Sequence, residues 1–100
     1  MDNRYVIRAL SDSYLKHKRV FKEDEIGLVR RPRDIVHTAD IVVSHTELVV
    51  DSLPEQDRFI IYNEVILGKT GDWYREYLSP ATYYRHRKGA YERFIRCLNQ

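Results

Sequence analysis

From Asp34 to Leu53 the chain runs "DIVHTADIVVSHTELVVDSL" without a glycine, a proline or a dipeptide that favours a tight hairpin. Nothing in this run is suited to reversing the chain. The clusters Ile41-Val42-Val43 and Leu48-Val49-Val50 are rich in β-branched residues, and alone they would fit two short strands. The spacing decides otherwise, because Ile35, Ala39, Val42, Thr46, Val49 and Leu53 recur at steps of 4, 3, 4, 3 and 4, with Val36, Val43 and Val50 alongside. A stripe sustained over this length outweighs the weak strand preference of single residues and predicts one long, largely buried helix.

Such a helix needs partners to cover its apolar side. The preceding segment "RYVIRALSDSYLKHKRVF" places Val6, Leu10, Ser13, His17 and Val20 on one helical stripe, and Lys22 to Glu25 followed by Gly27 mark its exit. Pro32 disfavours helix at Arg31, so residues 27–33 form a connection and the second helix starts near Asp34. Ser52-Leu53-Pro54-Glu55 matches a capping box ahead of a third helix, "PEQDRFIIYNEVIL", that ends at Gly68. Its Phe59, Tyr62 and Ile66 are expected to face inward, and Gln56, Asp57 and Glu64 outward. Asp72 is suited to cap a very short helix, "WYREYL". Ser79 caps the last helix, with Pro80 at the first position, where a missing N–H costs nothing.

The expected fold class is therefore all-α: a five-helix bundle with a C-terminal helix-turn-helix. One hundred residues support one core of modest size. Residues 1–100 are read as a single helical domain, in which 1–53 form a packing or dimer half and 54–100 the helix-turn-helix. No apolar run is long enough to cross a bilayer, and the opening Met1-Asp2-Asn3-Arg4 leads into no secretory segment. The lone Cys97 gives neither an internal disulfide nor a zinc signal and reads as a small buried hydrophobe. A cytoplasmic protein that contacts no membrane is expected.

The charge is distributed unevenly. Arg85, Arg87, Lys88, Arg93 and Arg96 stand against Glu92 alone in residues 79–100, although the whole chain carries only +2. A basic segment is a footprint of polyanion binding, and it is also what an ordinary solvated helix face looks like. On the last helix Tyr83, Arg87, Ala90, Phe94 and Leu98 share a stripe, with His86 and Cys97 flanking it. The opposite face presents Pro80, Ala81, Tyr84, Arg85 and Lys88, with Arg87 at its margin. Ser79, Thr82 and the free N–H groups of the first turn are suited to phosphate contact. In a helix-turn-helix this face would enter the major groove. Trp73, Tyr74 and Tyr77 are expected to pack between the third and last helices, and Tyr83 to be buried.

The stretch "LPEQDRFIIYNEVI" followed by "YLSPATYYRHRKGAYERFI" resembles region four of bacterial sigma factors, and more closely the ArpU-type phage transcription regulators. The resemblance covers about residues 50–98. It implies DNA binding near promoters, transcription regulation, and a recognition helix running from Ser79 to about Lys88. The DNA-binding set expected on both grounds is Ser79, Pro80, Ala81, Thr82, Tyr84, Arg85, Arg87 and Lys88. Double-stranded DNA is the expected partner, with RNA polymerase or a homodimer as added partners. Val36, Val43 and Val50 are a candidate dimer face.

No metal, cofactor or catalytic group is expected. His17, His37, His45 and His86 are scattered. Asp34, Asp40 and Glu47 lie on one long helix without a nucleophile and read as its solvent face, so the chain is not read as an enzyme. The competing reading is a helical adaptor whose basic helix docks on an acidic protein surface and never touches DNA.

Overall fold

The computed structural model describes residues 3–100; Met1 and Asp2, which enter the reading of the N-terminus above, lie outside them. The described residues form four α-helices and no strand: α1 (Asn3–Glu25), α2 (Arg33–Ser52), α3 (Glu55–Ile61) and α4 (Pro80–Leu98). Helix α3 runs on into a π-helical turn, Tyr62–Ile66, and the expected fifth helix is a single 3-10 turn, Trp73–Glu76.

Helices α1 and α2 form an antiparallel hairpin. Arg31 and Arg33 pair with Glu23 and Asp24 at its closed end, at 2.8 and 2.7 Å. Further along, Glu47 accepts from the Tyr14 hydroxyl and from Lys18 at 3.0 Å. Glu47 was expected in solvent but is drawn onto α1 by these two donors. Partial burial works against ionisation of its carboxyl, yet the hydrogen bonds from Tyr14 and Lys18 prevail and hold it below the usual range. The α2 stripe is confirmed for Ala39, Thr46, Val49 and Leu53, all buried, whereas Ile35 is exposed and Val42 is half-buried. Val36, Val43 and Val50 are also buried. Their burial inside the chain's own fold removes them as a dimer face. On α1 the deepest line is Ile7, Ser11 and Tyr14, one position round from the expected stripe, whose members are half-buried.

The segment after α2 departs from expectation in three ways. Ser52 donates its hydroxyl back to the Val49 carbonyl at 2.7 Å, and no side-chain cap bond forms at α3. Asp72 likewise makes no side-chain cap bond but pairs with Arg75 at 3.5 Å. The π-helical turn, closed by the Leu67 N–H donating to the Tyr62 carbonyl at 3.0 Å, rotates everything after α3. Tyr62 is thereby exposed, while Asn63, Glu64 and Val65 are buried. The Val65 carbonyl accepts from Ser11 on α1 at 2.9 Å, a buried partner for a buried group. Gly68 ends the turn at φ +67°, where a Cβ would stand 2.9 Å from Leu15 Cδ1. Both its conformation and its contact with α1 require glycine.

Helix α4 begins as expected. The Ser79 hydroxyl accepts from the Thr82 N–H at 3.2 Å, and Pro80 occupies the first position. Tyr83, Ala90, Tyr91 and Phe94 anchor it in a common core with Ile7, Tyr14, Val50, Leu53, Ile60, Ile61 and Val65. His45 of α2 meets the Leu98 carbonyl at 3.1 Å and ties down its far end. Cys97 is half-buried against the core rather than enclosed by it.

Candidate nucleic-acid interface and an adjoining carboxylate cleft

The outer side of α4 is set by what holds the inner side. Tyr83 stacks on Tyr74 of the 3-10 turn, with centroids 3.8 Å apart and rings nearly parallel. Trp73 meets the edge of Tyr83 at 5.9 Å and packs on Phe59 of α3 at 5.6 Å. Trp73 and Tyr74 therefore join the third and last helices as expected. Tyr77 is exposed but keeps an edge contact to Phe59 at 5.4 Å.

With that side fixed, Ser79, Pro80, Ala81, Tyr84, Arg85 and Lys88 all stand exposed at the N-terminal half of α4. Tyr84 is 54% exposed. Two members of the expected set are placed differently. The Thr82 hydroxyl accepts from Ser79 at 2.9 Å and is half-buried, so its polar atom serves the cap. The Arg87 guanidinium lies among aromatic rings, 4.9 Å from Tyr84 and 5.8 Å from both Tyr83 and Tyr91. This is a cation–π arrangement that costs Arg87 part of its freedom to reach a ligand on the outer face. Arg93 is committed as well: it grips the buried Asp57 of α3 through both Nε and Nη2, the latter at 2.9 Å. Gly89 clears the way for that grip, since a Cβ there would lie 2.7 Å from the Arg93 guanidinium. Of the five C-terminal cations, Arg85 and Lys88 are the exposed ones on the outer face beside the cap.

Asp57 and Glu64, both expected in solvent, are the charged residues buried most deeply, at 3% and 8% exposure. Glu64 Oε1 accepts from the Tyr91 hydroxyl, and Oε2 accepts from the Tyr83 hydroxyl and from the Trp73 indole N–H at 3.0 Å. Burial first, and then the bond to Glu64, push both tyrosine hydroxyls well above their ordinary range. A carboxylate read from sequence alone defaults to the surface. The available signal was the amphipathic trio Trp73, Tyr83 and Tyr91, whose polar tips need an acceptor once the rings are buried.

Glu64 forms one wall of a cleft of about 290 Å³ between the start of α1, the loop after Gly68 and the inner edge of α4. Arg4, Arg8, Lys69 and Arg87 line it, against the carboxylates of Glu64 and Asp72. A second, more apolar groove of about 810 Å³ runs between α3 and the start of α4, past Phe59, Tyr62, Tyr77, Leu78, Thr82 and His86. Among the described residues no group of three His, Cys, Asp or Glu side chains is placed to hold a metal ion. Nor, among the described residues, is any helix long and apolar enough to cross a membrane.

Comparison with protein-family models, curated proteins and solved structures returns no match to this chain.

Proposed function

We propose that the chain is a non-enzymatic DNA-binding regulator of transcription that contacts duplex DNA through the N-terminal half of α4. The observation that carries this reading is the pairing of a capped, anchored helix start with an outer face on which Ser79, Ala81, Tyr84, Arg85 and Lys88 are all exposed. The positive end of the helix attracts phosphate. Pro80 has no N–H, and those of Thr82 and Tyr83 donate to Ser79, which leaves the Ala81 N–H for a ligand. Arg85 and Lys88 supply the cations that make such contact strong. The resemblance to sigma region four and to the ArpU-type regulators points the same way. The connection between the π-helical turn and α4 spans residues 67–79, which is longer than the turn of a compact helix-turn-helix. The reading therefore rests on α4 and its face rather than on that motif.

A single small helix binds weakly, so a second copy or attachment to RNA polymerase belongs to this reading. In a dimer the exposed Ile41 and Leu48 of α2 would take the part that Val43 and Val50 cannot. The adaptor reading draws on a different observation, the apolar groove beside Thr82, which would seat a partner protein.

The deciding experiment is fluorescence anisotropy of a labelled random-sequence duplex. With about three phosphate contacts, affinity is expected to fall about 40-fold between about 50 and 200 mM salt. The double reversal Arg85→Glu/Lys88→Glu should abolish binding while the helical circular dichroism persists. Duplex binding that survives the reversal refutes the site, and no binding at low salt by the folded protein favours the adaptor.

A further inference from the structure

The cleft beside Glu64 has the attributes of a ligand site, and the residues that define it are distinct from the exposed cations of the α4 outer face. At about 290 Å³ it sits at the small end of ligand pockets, too confined for a duplex and of a size for one small molecule. Its occupant can be argued by elimination. A metal ion or organic cation would need free carboxylate oxygens, but both Glu64 oxygens already accept hydrogen bonds, from Trp73, Tyr83 and Tyr91, and the cleft's other carboxylate, Asp72, is paired with Arg75 at 3.5 Å. Of the basic side chains that line it, Arg8 is paired with Asp12 at 2.9 Å, and Lys69 and Arg87 carry the positive charge that the cleft offers. Lys69 and Arg87 form no ion pair among the described residues; their partners are rings, Lys69 lying 6.0 Å from the Trp73 centroid. Arg8 is held toward the cleft by the Gly68 carbonyl at 3.4 Å and by Asp12 at 2.9 Å.

An anion is favoured by these cations, and the aromatic lining adds a second requirement. Trp73 is half-exposed and Tyr84 is exposed, and both line the cleft. Flat aromatic surfaces beside cations are the combination that takes a base by stacking and its phosphate by charge. We propose that this cleft binds a single nucleotide, its base against Trp73 and Tyr84 and its phosphate at Lys69 and the neighbouring arginines. The nucleotide can be free or can be an unpaired residue of a strand. The cleft shares Tyr84 with the outer face of α4 but needs neither Arg85 nor Lys88.

Trp73 is the chain's one tryptophan, so its fluorescence reports directly on the cleft. The full chain is titrated with adenosine monophosphate, adenosine, inorganic phosphate and a single-stranded tetranucleotide, with fluorescence corrected for absorption by the base and heats measured by calorimetry. The monophosphate or the tetranucleotide is expected to bind saturably, with Kd below about 1 mM. The tighter of the two identifies the source as free or strand-borne. Lys69→Glu, on an exposed loop, is expected to weaken binding about tenfold or more. Arg85→Glu/Lys88→Glu should leave it unchanged even where duplex binding is lost. The proposal is overturned if neither probe binds at about 10 mM, if adenosine or inorganic phosphate alone binds as tightly, or if the folded Lys69→Glu variant binds like the parent.

Discussion

The indole N–H of Trp73 donates to Glu64 Oε2 at 3.0 Å, and the Tyr83 hydroxyl donates to the same oxygen. One carboxylate oxygen thereby fastens the 67–79 connection both to the helical segment before it and to α4 after it. The orientation of the proposed DNA-contacting helix depends on a buried charge that never reaches the surface it presents.

Glu64→Ala should therefore cost about 3 kcal/mol, because it strands three buried donors in addition to removing packing. Urea unfolding followed by circular dichroism measures this. Glu64→Gln, which keeps one acceptor oxygen, should cost less. Equal stability of Glu64→Ala and the parent would mean that the three donors find other partners.

Stability should decline steeply in alkali. Tyr14, Tyr83 and Tyr91 are each held protonated in the fold by burial first and by a carboxylate second, whereas in the unfolded chain they ionise near about pH 10. Above that pH the unfolded state binds fewer protons than the native state, so the native state loses its advantage as pH rises. Each tyrosine contributes a slope of about 1.4 kcal/mol per pH unit until its own folded value is passed. Urea midpoints at about pH 8 and pH 11 test this, and Tyr91→Phe should flatten the decline.

Arg93→Ala should cost about 2 kcal/mol by leaving Asp57 buried without its charged donor, yet leave duplex affinity unchanged. Arg85→Ala should do the reverse. Gly89→Ala should recover less than the roughly 1 kcal/mol that alanine normally adds to a helix, because the new methyl meets the Arg93 guanidinium. Paired unfolding and anisotropy measurements on the three variants separate cations that hold the fold from those free to meet a partner.

Ser79→Ala removes the acceptor for the Thr82 N–H and should cost about 1 kcal/mol. If the first turn of α4 contacts phosphate, duplex affinity should fall with it, and Ser79→Asp should restore the stability without restoring the affinity. Restoration of both would separate the cap from any phosphate contact.

Local signals in the sequence were informative where the physics is local. The start of α4 was legible from Ser79 and Pro80, and the helicity of α2 from spacing that no glycine or proline interrupts. The inward face of the third segment was not, because the π-helical turn adds a residue to one turn and carries Tyr62 outward and Glu64 inward. Asp57 and Glu64 read as solvent-facing because the partners that bury them are distant in the chain. Arg93 lies on a helix two connections away, and Tyr83 and Tyr91 beyond the 3-10 turn. The outer face of α4 was legible apart from Thr82 and Arg87, whose partners, the cap hydroxyl and three tyrosine rings, become visible only when the helix is placed.

The π-helical turn makes spacing itself a structural requirement. Each residue of an α-helix advances the next by about 100°, and this turn already holds one residue more than an α turn, so inserting a further residue between Tyr62 and Ile66 would swing everything beyond it by up to about that angle. The Val65 carbonyl would turn away from Ser11, and Gly68 from Leu15. In this stretch the number of residues carries information that no single side chain does, and a change of length would be felt where most changes of type would be absorbed.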